Sequence, residues 1–186
     1  MSKSSDAQGA AKGPFVMDLE KIRAQARKDM EEGPVTQSYN ADRETVLKLL
    51  NGALATEIVC TLRYKRHYFM AKGINSESVA QEFLAHANEE QGHADQLATR
   101  IVQLGGEPDL SPDSLVARSH SEYKVGKDLT DMIRENLVAE RIAIDTYREI
   151  IHYLGDADTT TRRIFEEILA VEEEHADDMA DLLARR

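Results

Sequence analysis

Four long stretches of the chain place apolar residues at alternating spacings of three and four, the periodicity of one face of an α-helix. The first runs from about Asp42 to Lys72 and stops at Gly73. The second opens at Ser76-Glu77, a cap followed by a first-turn acid, and stops at Gly105-Gly106. A third extends from about Glu122 to Leu154, ending at Gly155, and a fourth from Asp158-Thr159 to the C-terminus. At a rise of 1.5 Å per residue each helix spans roughly 40 to 50 Å, a length suited to a bundle. The short links at Gly73–Asn75 and Gly155–Ala157 make helices one and two, and three and four, antiparallel neighbours. Between helices two and three lies Gly105 to Ser121, with Pro108 and Pro112. Extended, it reaches roughly 55 Å. That predicts a long crossover leaving helices two and three parallel, in an all-α four-helix bundle.

The seams are apolar at both ends and polar in the middle. In the second helix the seam reads Val79, Phe83, His86, Glu90, His93, Leu97, Ile101; in the fourth it reads Thr161, Phe165, Ile168, Glu172, His175, Met179. The first helix has Glu57 at the equivalent midpoint, followed by Cys60 and Tyr64, and the third has Glu140, followed by Ala143 and Tyr147. Midpoints of paired helices meet at one depth, so Glu57, Glu90, Glu140 and Glu172 are expected to converge. Four ionised carboxylates in one core cost several kcal/mol each and repel one another. Protons or salt bridges would relieve them, but no seam carries Lys or Arg nearby. Two divalent cations would balance four negative charges. Glu90-x-x-His93 and Glu172-x-x-His175 each put an oxygen and a nitrogen donor one turn apart on one face, as in di-metal carboxylate bundles.

The pattern is doubled. Glu57 to Tyr64 and Glu140 to Tyr147 are each seven residues, and Glu57 to Glu90 and Glu140 to Glu172 are 33 and 32. A hairpin repeated at this offset implies a pseudo-twofold axis through the metal pair. His86 is expected either to support a ligand or to fill the core, and Cys60 to be small core filler. Glu89, Glu173, Glu174, Asp177 and Asp178 fall off the seams and read as solvated surface.

Composition narrows the classes. With 23 basic and 34 acidic residues the chain carries a net charge of −11. Residues 1–40 hold six of each sign, so the excess sits on residues 41–186. That balance repels nucleic acid and attracts cations. Lys3 and Lys12, offset by Asp6, are too few for the phosphate contacts that DNA binding needs at physiological salt. A single cysteine, Cys60, excludes an internal disulfide framework and a Cys-rich metal site. No apolar run is expected to reach membrane-spanning length, and MSKSSDAQGAAKG has no signal-peptide apolar region, so a cytoplasmic protein with no membrane partner is expected. Residues 1–40 read as an N-terminal extension, disordered over 1–14 with a short helix from Asp18 to Glu32 closed by Gly33-Pro34. Residues 41–186 read as the bundle.

Carried by these motifs, the chain from about Asp42 to Leu183 resembles the ferritin-like superfamily, and bacterioferritins most closely. The resemblance implies a di-iron ferroxidase centre in each subunit, with two Fe per chain. Glu90 and Glu172 would bridge, and Glu57 with His93 and Glu140 with His175 would be terminal ligands. Tyr64, placed on the ligand face by its spacing, is expected to bond a ligand, to donate an electron, or to pack in the core with its hydroxyl bonded. Fe(II) would be oxidised by O2 or H2O2 and stored as Fe(III) inside a homo-oligomeric shell. Haem is not expected: haem-binding relatives carry a Met directly after the first bridging Glu, where this chain has Gln91. The chain ends at Leu183-Ala-Arg-Arg, with little sequence for the fifth helix of 24-subunit shells. A 12-subunit mini-ferritin outline with a bacterioferritin-type site therefore stands beside the 24-subunit one. Two other functions fit the same residues: di-metal (Mn or Fe) peroxidase, catalase-like or oxygenase chemistry, and DNA protection by a mini-ferritin.

Overall fold

The computed structural model describes residues 15–73 and 76–184; the expected disorder over 1–14 lies outside the described residues. Four long helices dominate: α2 (Arg43–Met70), α3 (Ser76–Gln103), α5 (Leu129–Leu154) and α6 (Thr159–Ala184). Two short ones, α1 (Leu19–Gln25) and α4 (Leu115–Arg118), lie in the N-terminal extension and the crossover, and no strand occurs among the described residues. The protein is an all-α, ferritin-like four-helix bundle.

Topology follows from side-chain pairing. Tyr64 on α2 reaches Glu140 on α5, while Glu57 receives Tyr147, so α2 and α5 run antiparallel. Arg100 on α3 meets Thr161 on α6, while His86 stacks on His175, so these helices are antiparallel too. Because α2 and α3 form a hairpin, α3 and α5 are parallel, and the crossover spans residues 104–128. The polar mid-bundle layer lies between two apolar cores. At one end are Leu50, Leu97, Ile101, Leu154 and Phe165; at the other, Phe83, Ile133 and Met179.

Three readings need correction. First, the third long helix begins at Leu129, not near Glu122. The Asp128 carboxylate caps it by accepting from the Asp131 N–H at 2.9 Å, and Gly126 just before it has φ +66°. Residues 122–125 instead lie along α2, where Arg63, His67 and Arg66 bind the carbonyls of Glu122, Lys124 and Val125. Second, the Asp18–Glu32 helix divides into α1 and a 3-10 turn at Met30–Glu32. Third, α2 is long and apolar enough to cross a membrane by length and composition. However, 56% of its most apolar 18-residue window is buried inside the bundle, and Glu57 interrupts it.

One buried ion pair ties the N-terminal extension to the bundle. Arg100 donates to both Asp158 oxygens at 3.0 and 3.1 Å. Asp158 also accepts from the Thr161 N–H at 2.9 Å, starting α6, and from the Tyr39 hydroxyl at 3.0 Å. Arg100 and Asp158 are both buried. Replacing Asp158 by Ala leaves a buried guanidinium unpaired and removes the cap of α6. The expected loss is about 3 kcal/mol, read as a lower denaturation midpoint; a midpoint equal to wild type would contradict this account.

Candidate metal centre

Each of the six residues marked by the spacing sits inside a long helix, where backbone hydrogen bonds are satisfied and the side chain is aimed by helical phase. All six are buried, and the four glutamates are at most 1% exposed. The structure brings them together as two overlapping groups, each compact enough to ligate one ion. Glu57, Glu90, His93 and Glu172 form one, and Glu90, Glu140, Glu172 and His175 form the other.

Glu90 and Glu172 belong to both groups, and their oxygens divide between them. His93 Nδ1 lies 3.3 Å from Glu90 Oε2 and 3.1 Å from Glu172 Oε1. His175 Nδ1 lies 3.8 Å from Glu90 Oε1 and 3.5 Å from Glu172 Oε2. Each of these carboxylates therefore turns one oxygen to each imidazole. Glu57 Oε2 completes the first group, 3.3 Å from His93 Nδ1.

Two tyrosines hold the outer carboxylates reciprocally across the hairpins. The Tyr64 hydroxyl donates to Glu140 Oε1, and the Tyr147 hydroxyl donates to Glu57 Oε1. Both phenols are held well above their ordinary pKa, by burial first and by the adjoining carboxylates next, so they remain donors.

Several ligand atoms have no hydrogen-bond partner: Glu90 Oε1, Glu140 Oε2, both Glu172 oxygens and His175 Nδ1. Orphaned polar atoms are rare in folded interiors. Here they converge on one space, so the donor set fits two divalent cations. Mixed imidazole and carboxylate donors suit Fe(II) or Mn(II).

Without metal the layer is neutralised by protons. Burial, then the Glu172, Glu57 and Glu140 carboxylates, push Glu90 far above its usual range. Burial, then Glu172, lifts Glu140 to about 8. For the histidines burial works downward, but close carboxylates outweigh it. Glu172 and Glu57 bring His93 to about 10, and Glu172 with Glu140 brings His175 to about 9. Burial also opposes ionisation of Glu172, yet the two imidazoles beside it hold it down at about 2.

Other residues escaped the sequence reading. Glu89, expected to be solvated, lies half-exposed with Oε2 2.7 Å from His175 Nε2, where it fixes the ring that faces the centre. Its signal was its spacing of three from His86 and four from His93. Arg63, absent from every seam, is completely buried and bonds Asn136, the Glu122 carbonyl and Cys60 Sγ. The seams carry no basic residue near the glutamates, but Arg63, off the seams, acts electrostatically on Glu140. α4 and the crossover cover a second face of α2, burying Ala55, Val59 and Leu115 together, and seam phasing cannot see that face. His86 is buried and touches both Tyr64 and His175. Cys60 is buried, and burial pushes its thiol up to about 12.

Comparison with known proteins shows the family to which this fold belongs. The ferritin-like domain family matches residues 47–186, and the chain belongs to that family. It is 31% identical over 146 residues to a bacterioferritin of Brucella melitensis, covering 75% of this chain and 85% of that one. Among solved structures it resembles the dodecameric thioferritin of Bacteroides fragilis, a bacterioferritin-related protein, with TM-score 0.76 and 33% identity over 78% and 88% of the two chains. It also resembles the Rhodobacter capsulatus bacterioferritin, described with a metal-free dinuclear site and haem iron. There the TM-score is 0.68 and the identity 26%, over 76% and 84%.

A pH prediction follows from the protonated layer. Glu140, His175 and His93 keep protons in the folded chain that the unfolded chain releases near its ordinary values. Their raised values stabilise the metal-free fold below the unfolded pKa values. That contribution fades as pH rises from about 5 towards 10. Glu172, already ionised, adds no slope in this window. The melting temperature of metal-free protein should therefore be lower at pH 9 than at pH 6. Added Mn(II) should raise it more at pH 8 than at pH 6, because bound metal displaces the protons. A metal-free melting temperature that climbed between pH 6 and 9 would refute the assignment.

Proposed function

We propose that this chain oxidises Fe(II) at a dinuclear centre in each subunit and stores the Fe(III) product inside a homo-oligomeric shell. The observation that carries the reading is the division of the Glu90 and Glu172 oxygens between the two imidazoles, which suits two ions bridged by both carboxylates. Iron is substrate and cargo here. Glu57 and His93 would hold one ion, Glu140 and His175 the other. Tyr64 and Tyr147 keep the outer carboxylates aimed inward.

The chemistry needs two metals within reach of one oxidant. Two Fe(II) each give up one electron. O2 takes both with two protons and becomes H2O2, or H2O2 takes both with two protons and becomes two waters. The protein supplies fixed donors in a dry core, so little reorganisation accompanies the change of iron charge. Haem forms no part of this reading, because Gln91, where a thioether is needed, bonds Asp95. The net charge of −11 likewise speaks for a cation-collecting shell over a DNA-binding one.

Glu90→Ala removes one oxygen donor from each ion. Its initial rate of Fe(II) oxidation under air should fall at least about tenfold, in line with the loss of a directly acting group. A variant as fast as wild type would end the proposal. Purified particles should have a mass of about 250 or 500 kDa, twelve or twenty-four copies of the 20.9 kDa chain. Elemental analysis separates iron from the manganese alternative: manganese without iron, together with peroxide breakdown, would move the chain to the other di-metal class.

A further inference from the structure

A second cluster of ligand-type side chains lies one turn of α3 from the centre. His86, 2% exposed, stacks on His175 with ring centroids 3.9 Å apart and planes 17° from parallel. Its Nδ1 sits 3.2 Å from the Tyr64 hydroxyl. That hydroxyl has a single hydrogen and gives it to Glu140. His86 Nε2 lies 3.3 Å from Glu82 Oε1 on α3 and 3.4 Å from Asp178 Oδ2 on α6. One buried imidazole nitrogen and two carboxylate oxygens, brought from two helices, thus converge within reach of a single ion.

We propose that Glu82, His86 and Asp178 form a third divalent-cation site, separate from the dinuclear centre. Two ligands about 2.1 Å from one ion and 90 to 110° apart are separated by roughly 3.0 to 3.4 Å, close to the spacing seen here. One imidazole with two carboxylates is a donor set for Fe(II) and similar ions. The Glu82 and Asp178 side chains are 41% and 45% exposed, so solvent completes the coordination and gives an ion access. Glu89, His86 and His175 form a further compact group between this site and the centre. Fe(II) held by Glu82 and Asp178 thus has ligands along the way to His175. This transit role rests on the proposed dinuclear centre, whereas binding at the third site is measurable without it.

The test is binding of Co(II) alone, without oxidant, by equilibrium dialysis and visible absorption. Wild type should bind one more Co(II) per subunit than the double variant Glu82→Gln/Asp178→Asn, which changes charge but not size at two partly exposed positions. Glu90→Ala should lose ions of the centre and keep this one. If the dinuclear reading is wrong, wild type and Glu90→Ala will bind alike, and the double variant will still bind one fewer. Equal Co(II) counts for wild type and the double variant overturn the third site. Should the double variant lose helicity, Co(II)-soaked wild-type crystals decide. Anomalous density between Glu82, His86 and Asp178 upholds the site, and its absence there refutes it.

Discussion

The structure is organised around a layer of buried negative charge. Four glutamates at the midpoints of four helices are tolerable only if positive charge or protons enter with them. Without metal, His93, His175, Glu90 and Glu140 carry protons; in the proposed metal-bound state two dications would supply the positive charge instead. The rest of the fold makes that exchange possible. Apolar cores on both sides hold the helices together where the middle cannot. Hydrogen bonds from Tyr64 and Tyr147 fix Glu140 and Glu57 from the opposite hairpin, so neither outer carboxylate can swing to solvent when the charge balance changes. The Arg100–Asp158 pair sets the start of α6, and with it the phase that brings Glu172 and His175 inward.

The bundle was legible because helical phase is a local property. Glu57, Glu90, Glu140 and Glu172 interrupt seams that are otherwise apolar, and a polar residue at such a position must be answered across the core. The repeated spacing to Tyr64 and Tyr147 gave the pairing of the hairpins for the same reason. What stayed hidden depends on long-range contact. The start of α5 is set by residues 122–125 binding Arg63, Arg66 and His67, three side chains some sixty positions away. Arg63 reads as a surface residue until the crossover covers its side of α2. Glu89 reads as solvated until α6 brings His175 Nε2 against it. An acid one residue off a seam points about 100° away from it, so sequence phase alone could not separate a ligand-orienting carboxylate from a solvated one.

The pseudo-twofold relation between the hairpins is strict for the glutamates and tyrosines and fails for their surroundings, and the failure has a direction. Glu140 feels the buried Arg63 guanidinium and accepts from Tyr64, which is itself joined to His86. His175 is stacked on His86 and held by Glu89. The Glu57 and His93 half has Tyr147 but none of these additions. The charged residues Glu82, Glu89 and Asp178 cluster on the α3–α6 side next to His175. Two ions in this centre would therefore occupy unequal positions. The Glu140–His175 half is tied through hydrogen bonds to partly exposed carboxylates, while the Glu57 half adjoins, through Tyr147, the apolar core around Phe165. The ligand pattern is thus symmetric, whereas only the half at Glu140 and His175 is joined, through His86 and Glu89, to carboxylates that reach solvent.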